Sequence, residues 1–128
     1  MKGTVLIIED DHETRVALRS VIEGEGFTVL SEANGAHGFH RLRHIAPPVL
    51  VVLDQNMPLS TGDDFMRLKR EDKRLADVPV IVISAVENRV GDFGVSAFLR
   101  KPFDTALLVR LVRRLLVESA SQISARAG

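Results

Sequence analysis

Val49-Leu50-Val51-Val52-Leu53 is an unbroken apolar run that stops at Asp54 and is followed by Gln55-Asn56-Met57-Pro58. Such a run, three of its five residues Val, reads as a strand buried on both faces of a parallel sheet. Asp54 then sits at the carboxyl end of the strand, the edge where open α/β sheets bind ligands. A carboxylate at that edge costs desolvation unless something cationic meets it. A capping or turn aspartate ahead of Asn56 and Pro58 is the bland alternative for any single strand end. Other strands of this chain end in the same way, which favours the functional reading.

Around this strand the chain alternates short apolar runs with helical periodicity. Thr4-Val5-Leu6-Ile7-Ile8 is a first strand, closed by Glu9-Asp10-Asp11. Thr14, Ala17, Leu18, Val21 and Ile22 recur at helical spacing, and Gly24 and Gly26 stop that helix. Residues 27–30 form a short second strand. Ala36, Phe39 and Leu42 carry a second helix that ends before Pro47-Pro48. After the central strand, Gly62 opens a third helix with Phe65, Met66 and Leu68, its other face charged through Arg74. Residues 79–84 are a β-branched, fully buried strand ending in Ser84. A poorly patterned stretch, 86–93, leads to a last small strand at 97–100 and then to Lys101-Pro102-Phe103. Asp104 is an N-cap for a final helix that buries Leu108, Leu111, Val112 and Leu115. Residues 1–118 read as one domain, and the small, polar residues 119–128 as a flexible tail. Five strands alternating with helices imply an α/β fold: a doubly wound parallel sheet with helices on both faces.

Composition removes several function classes. The chain has 128 residues and no cysteine, which excludes a disulfide framework and thiolate metal sites and fits a reducing compartment. No apolar run approaches membrane-spanning length and no signal-peptide pattern opens the chain, so the cytoplasm is the expected location, with no membrane partner. With 17 basic and 17 acidic residues there is no net charge to argue for nucleic acid. The absence of Trp and Tyr leaves little stacking surface for single strands.

The polar residues collect at one edge. Glu9 and Asp10 end the first strand, Asp54 the third and Ser84 the fourth, and Lys101 follows the fifth. In a parallel sheet all these ends lie on the same side, and a crevice opens where connections cross to opposite faces. Grouped carboxylates resist ionising together unless a cation joins them. Oxygen donors without His or Cys suit a hard ion, and few carboxylates plus a phosphate suit Mg²⁺. A carboxylate can also be the nucleophile that takes a phosphoryl group, with a lysine and a hydroxyl meeting its oxygens. The residues alone thus make a magnesium-dependent phosphoryl-accepting site plausible.

From Val5 to about Leu116 the chain resembles a bacterial response-regulator receiver domain of two-component signalling. The resemblance rests on Ile7-Ile8-Glu9-Asp10 with Arg15, Asp54-Gln55-Asn56-Met57-Pro58 with Gly62, Ser84-Ala85, Phe98, and Lys101-Pro102-Phe103. Each motif alone is weak; in order and at strand ends they are specific. The resemblance implies the flavodoxin-like receiver fold, with Asp54 phosphorylated and Mg²⁺ bound by Asp10 and Asp54. Glu9 would act on the metal through water, and Asn56 through its backbone carbonyl. Ser84 would hydrogen-bond the phosphoryl group and Lys101 would pair with it, the Lys101–Pro102 bond being cis. Ser84 and Phe98 would act as switch residues, although Phe98 reads equally as plain core. Three adjacent acids leave the metal pair as Glu9/Asp10 or Asp10/Asp11. The family's arginine, five positions after the direct ligand, matches Arg15 to Asp10 and leaves Asp11 to the helix N-terminus.

The implied function is that of a phosphoacceptor supplied by a sensor histidine kinase or a histidine phosphotransfer protein. Output would pass to a downstream protein partner. Such a domain catalyses only its own modification and is not an enzyme with a turnover substrate. One alternative is a phosphorylation-independent receiver-like adaptor, but such forms lose Asp54, the acidic pair or Lys101, all kept here. A second is an aspartyl-nucleophile phosphatase, which places a second Asp where this chain has Asn56. Ser84 and Lys101 are 17 positions apart, roughly five fewer than in family receivers, or about one and a half helical turns. The family's fourth helix is therefore expected to be short or irregular within 86–93, leaving the domain monomeric or in a weak, non-standard dimer. Outside the motifs, His37, His40 and His44 share a helix face at three- and four-residue spacing. They read as a solvated face rather than a zinc site, because no carboxylate or Cys completes the set.

Overall fold

The computed structural model describes residues 3–54, 61–85 and 94–127. Its elements follow the alternation of the sequence: β1 (Thr4–Ile8), α1 (His12–Glu23), β2 (Thr28–Glu32), α2 (Gly35–Leu42), β3 (Val49–Asp54), α3 (Thr61–Glu71), β4 (Val80–Ser84), β5 (Ala97–Arg100) and α4 (Thr105–Ala127). The strands form one sheet in the order β2-β1-β3-β4-β5. Every adjacent pair is parallel. The doubly wound five-stranded architecture expected from the sequence is the one observed.

Strand alternation explains why the runs are apolar throughout. Val5, Ile7, Leu50, Val52, Ile81 and Ile83 face a layer holding Leu18 and Ile22 of α1 and Leu108 and Val112 of α4. Leu6, Ile8, Val51, Leu53, Val80 and Val82 face the opposite layer, with Leu42 of α2 and Phe65 and Met66 of α3. All six residues of β3 are buried, Asp54 included. Both faces of β3 and β4 are covered, so polar residues occur there only at the ends, as Asp54 and Ser84.

Local chemistry sets the helix boundaries. Asp11 caps α1 by accepting from Thr14 N at 2.9 Å and Thr14 Oγ1 at 2.6 Å. Gly24 closes that helix, and Gly26 takes a left-handed φ of 94° before β2. Asn34 caps α2 through His37 N. Asp104 Oδ1 accepts from Ala106 N at 2.9 Å at the start of α4, the capping role its position suggested.

Three boundaries and one buried face differ from the sequence expectation. The second strand runs Thr28–Glu32 rather than 27–30, and Phe27 instead packs into the core beside α4. The buried stripe of α2 is Gly35, Gly38 and Leu42, with Ala36 exposed and Phe39 half-buried. The third helix stops at Glu71, because Asp72 folds the chain back: its carbonyl accepts from Leu75 and Ala76, and its carboxylate accepts from Arg74 N. Residues 119–127, expected as a flexible tail, continue α4 to Ala127. Ala, Gln and Arg are strong helix formers, so a polar, small-residue segment joined to a formed helix extends it at little cost. The shortened helix expected within 86–93 lies outside the described residues. Among those described, no helix is long and apolar enough to cross a membrane.

Candidate functional site

Alternation along three strands gathers the predicted residues. Glu9 continues the face of Val5 and Ile7, Asp54 that of Leu50 and Val52, and Lys101 that of Ala97 and Leu99. All three leave the sheet at its carboxyl edge, toward the α1/α4 side. The strand order places β1, β3, β4 and β5 consecutively there. Connections from β1 and β3 depart to opposite faces, so the edge opens into a crevice at β1/β3.

Asp54 is almost wholly buried, its side chain 2% exposed, and its Oδ2 accepts from Lys101 Nζ at 2.8 Å. The lysine arrives from beyond β5, its backbone N–H held by Ser84 O at 2.8 Å. The Lys101–Pro102 peptide is cis, as the resemblance implied. One ammonium thus neutralises one buried carboxylate, and a second carboxylate lies beside it. Glu9 is 2% exposed, and its Oε2 is buried with no hydrogen-bond partner.

Burial is the main reason the Glu9 carboxyl is pushed up to about 8; a hydrogen bond with Asp54 and that group's charge add to the shift. Asp10, exposed at the next position, raises it further, while Lys101 opposes the trend. Two acids with one cation between them make a site short of positive charge.

Its supporting residues are local. Arg15 Nη1 donates to Glu9 O at 2.7 Å, and Glu9 N donates to Glu32 O at 3.0 Å. The turn after β1 is therefore pinned from both α1 and β2. The sequence marked Arg15 only as a register signal; its part in holding the Glu9 carbonyl was not legible there. The Thr14 hydroxyl and amide hold the Asp11 carboxyl below its usual range. A carboxylate engaged in capping α1 is a poor metal ligand, which favours Glu9/Asp10 as the acidic pair.

Ser84 is fully buried at the end of β4. Alternation assigns it to the face of Val80 and Val82, opposite Asp54's. Phe98, paired in register with Val82, is half-buried on that same side, against the α2/α3 layer. The two residues expected to switch together therefore share a face. Asn56 lies outside the described residues.

The donors fit a divalent hard cation. Glu9 Oε2 is an orphaned buried oxygen, which an ion or a water bound to it would satisfy. Among the described residues no three His, Asp or Glu side chains converge as a ready-made cage. Oxygen donors of this kind would suit Mg²⁺, which keeps several waters and uses one or two carboxylates plus phosphate oxygens.

The response regulator receiver domain family model matches residues 5–113. Response regulator Rre1 of Synechocystis sp. is 34% identical over 131 residues, covering 98% of this chain and 55% of that protein. The chain therefore spans about half of that relative. Chemotaxis protein CheY of Pseudomonas aeruginosa is 28% identical over 116 residues, covering 87% of this chain and 94% of that protein. The fold also matches the receiver domain of a sensor histidine kinase from Pseudomonas aeruginosa PAO1, whose crystal structure has a magnesium ion coordinated in the active-site cleft. That match has a TM-score of 0.80 and 21% identity, and covers 91% of this chain and 98% of that one. The family model covers most of the chain and the five-stranded parallel sheet matches a receiver fold, and the chain belongs to the response-regulator receiver domains of two-component signalling.

Proposed function

We propose that the domain accepts a phosphoryl group on Asp54 from the phosphohistidine of a sensor histidine kinase or a histidine phosphotransfer protein. The observation that carries this reading is the buried Asp54 carboxylate, 2.8 Å from Lys101 and beside the orphaned Glu9 oxygen. Asp54 is the nucleophile: a carboxylate oxygen forms the new P–O bond while the donor's P–N bond breaks, its electron pair remaining on the imidazole nitrogen. Lys101 pairs with the phosphoryl oxygens once they displace its contact with Asp54. Asp10 and Asp54 would hold Mg²⁺ directly, with Glu9 acting through water and the Asn56 carbonyl as a further ligand. Bound there, the ion would supply positive charge to offset that of the transferring group.

The acyl phosphate adds negative charge at a crevice already short of cations. Ser84 and Phe98, on the face opposite Asp54, report the change to the surface beside β5, where a downstream protein reads it. The chain acts only on itself, so it is a switch and not an enzyme with a released product. Intact-mass measurement after acetyl phosphate and Mg²⁺ should show one labile phosphoryl group, absent from Asp54→Ala. Equal labelling of that variant overturns the assignment, and no labelling of the wild type favours a phosphorylation-independent adaptor.

A further inference from the structure

The two histidines of α2, His37 and His40, and His44 just beyond its end are not equivalent in the folded protein. His40 and His44 are both exposed, with ring centroids 5.1 Å apart and planes tilted by 49°. His44 lies just past the Arg43 C-cap, and its backbone N–H donates to Arg41 O. Its ring Nδ1 is 3.1 Å from His40 O. A carbonyl can only accept, so His44 Nδ1 carries the proton. In the neutral ring Nε2 is then a bare lone pair. A backbone bond that fixes tautomer and ring orientation in this way is the usual support of a metal-ligating histidine.

His37 is tied differently. Asn34 Oδ1 accepts from His37 N at 2.9 Å, which fixes the amide so that its Nδ2 faces His37 Nδ1 at 3.3 Å. The amide nitrogen is the donor, so His37 Nδ1 accepts and the proton sits on Nε2. His37 is therefore occupied on one nitrogen and protonated on the other. Two imidazoles bound to one tetrahedral Zn²⁺ at about 2 Å put their ring centres about 5 Å apart, close to the His40–His44 separation. The neighbouring Arg41 repels a cation less than its charge suggests, because Glu32 pairs with it at 3.0 Å.

We propose that His40 and His44 form a surface site for an imidazole-preferring divalent transition ion, with Zn²⁺ as the reference ion. His44 ligates through Nε2, His40 through a ring nitrogen, and water fills the remaining positions. Imidazole nitrogen is the donor such ions prefer and Mg²⁺ does not, so the site is chemically distinct from the acidic crevice. Bound there, the ion clips the last turn of α2, an eight-residue helix too short to persist without outside support.

The test is calorimetric titration of Zn²⁺ into tag-free protein held in excess Mg²⁺ to occupy the crevice. The expected result is one Zn²⁺ bound, with affinity lowered at least roughly tenfold in either His40→Gln or His44→Gln and unchanged in His37→Gln. Imidazole nitrogen resonances of the wild type give a second readout that needs no variant. Zn²⁺ should shift His44 Nε2 while Nδ1 stays protonated, and should leave His37 unmoved. Failure of the wild type to bind, retained affinity in both pair variants, or equal loss in His37→Gln overturns the site.

Discussion

Lys101 reaches Asp54 across the end of an intervening strand: its Nζ is 2.8 Å from Asp54 Oδ2, although β4 lies between β3 and β5. The contact bridges 47 positions of sequence and ties the edge strand to the centre of the sheet. On the proposed reading, a phosphoryl group that displaces the ammonium from Asp54 is felt along β5.

Lys101→Arg keeps the charge but replaces a compact ammonium with a planar fork, and the two are not interchangeable at a tight site. We expect Asp54 still to be phosphorylated by acetyl phosphate while most of the conformational response is lost. Backbone chemical-shift changes on phosphorylation, compared between wild type and variant over 97–104, check this. Equal changes in both would show that Lys101 does not carry the response.

Mg²⁺ should bind the unmodified domain weakly and raise its melting temperature, since a ligand that binds only the folded state stabilises it. Asp10→Asn removes a charged donor and should weaken binding at least about tenfold. Thermal melts across a Mg²⁺ series measure both effects. An unchanged midpoint response in Asp10→Asn would refute the place given to that residue.

The residues that could be read from sequence are those whose chemistry contradicts their surroundings. Asp54, Ser84 and Lys101 interrupt or follow apolar runs, so hydropathy alone flags them. Residues whose role depends on space stay hidden. Gly38 contributes nothing to an apolar stripe, yet it is buried against Ile8 of β1, whereas the sequence reading puts Ala36 on the buried face. Lys69 reads as part of a charged helix face, but it is 2% exposed, its Nζ turned onto Ala76 O. The polar end of α4 reads as a frayed tail by composition, whereas its propensities continue the helix. Arg15 is visible as a spacing and its hydrogen bond to Glu9 O is not, because that bond depends on the angle at which α1 leaves β1.

A Cβ on Gly38 would stand 2.4 Å from Ile8 Cδ1 and 2.8 Å from Ile8 Cγ1. Ile8 is fully buried, so either its side chain repacks within the core or α2 lifts from β1. Gly38→Ala should destabilise the fold by about 1–3 kcal/mol, the usual cost of overpacking. Ile8→Val removes the nearer methyl and should recover part of that loss, giving a non-additive double mutant. Urea unfolding of the three variants checks the coupling; simple additivity would place the strain elsewhere.

Lys69 gives the fold its alkaline response. Burial lowers its pKa from 10.5 to about 8, and Asp77 only partly offsets this. The unfolded chain, with the higher pKa, binds more protons between those values, so stability rises with pH across that window. Below about 8 the folded protein carries the full cost of a buried ammonium held by one carbonyl, Ala76 O at 2.8 Å. A shift of that size corresponds to an upper limit of about 3 kcal/mol gained between pH 8 and 10.5. The chain has no Tyr and no Cys, and Glu9, pushed up to about 8, acts with the opposite sign, its contribution falling with pH up to about 8 and level above it. Lys69→Met keeps the apolar stem and removes the charge; it should flatten the alkaline rise and be about as stable as the wild type near pH 7, the lost bond to Ala76 O offsetting the relieved ammonium. Urea midpoints at half-unit steps from pH 7 to 10.5 measure both curves. A rise of the same size in Lys69→Met would assign the alkaline gain to another group.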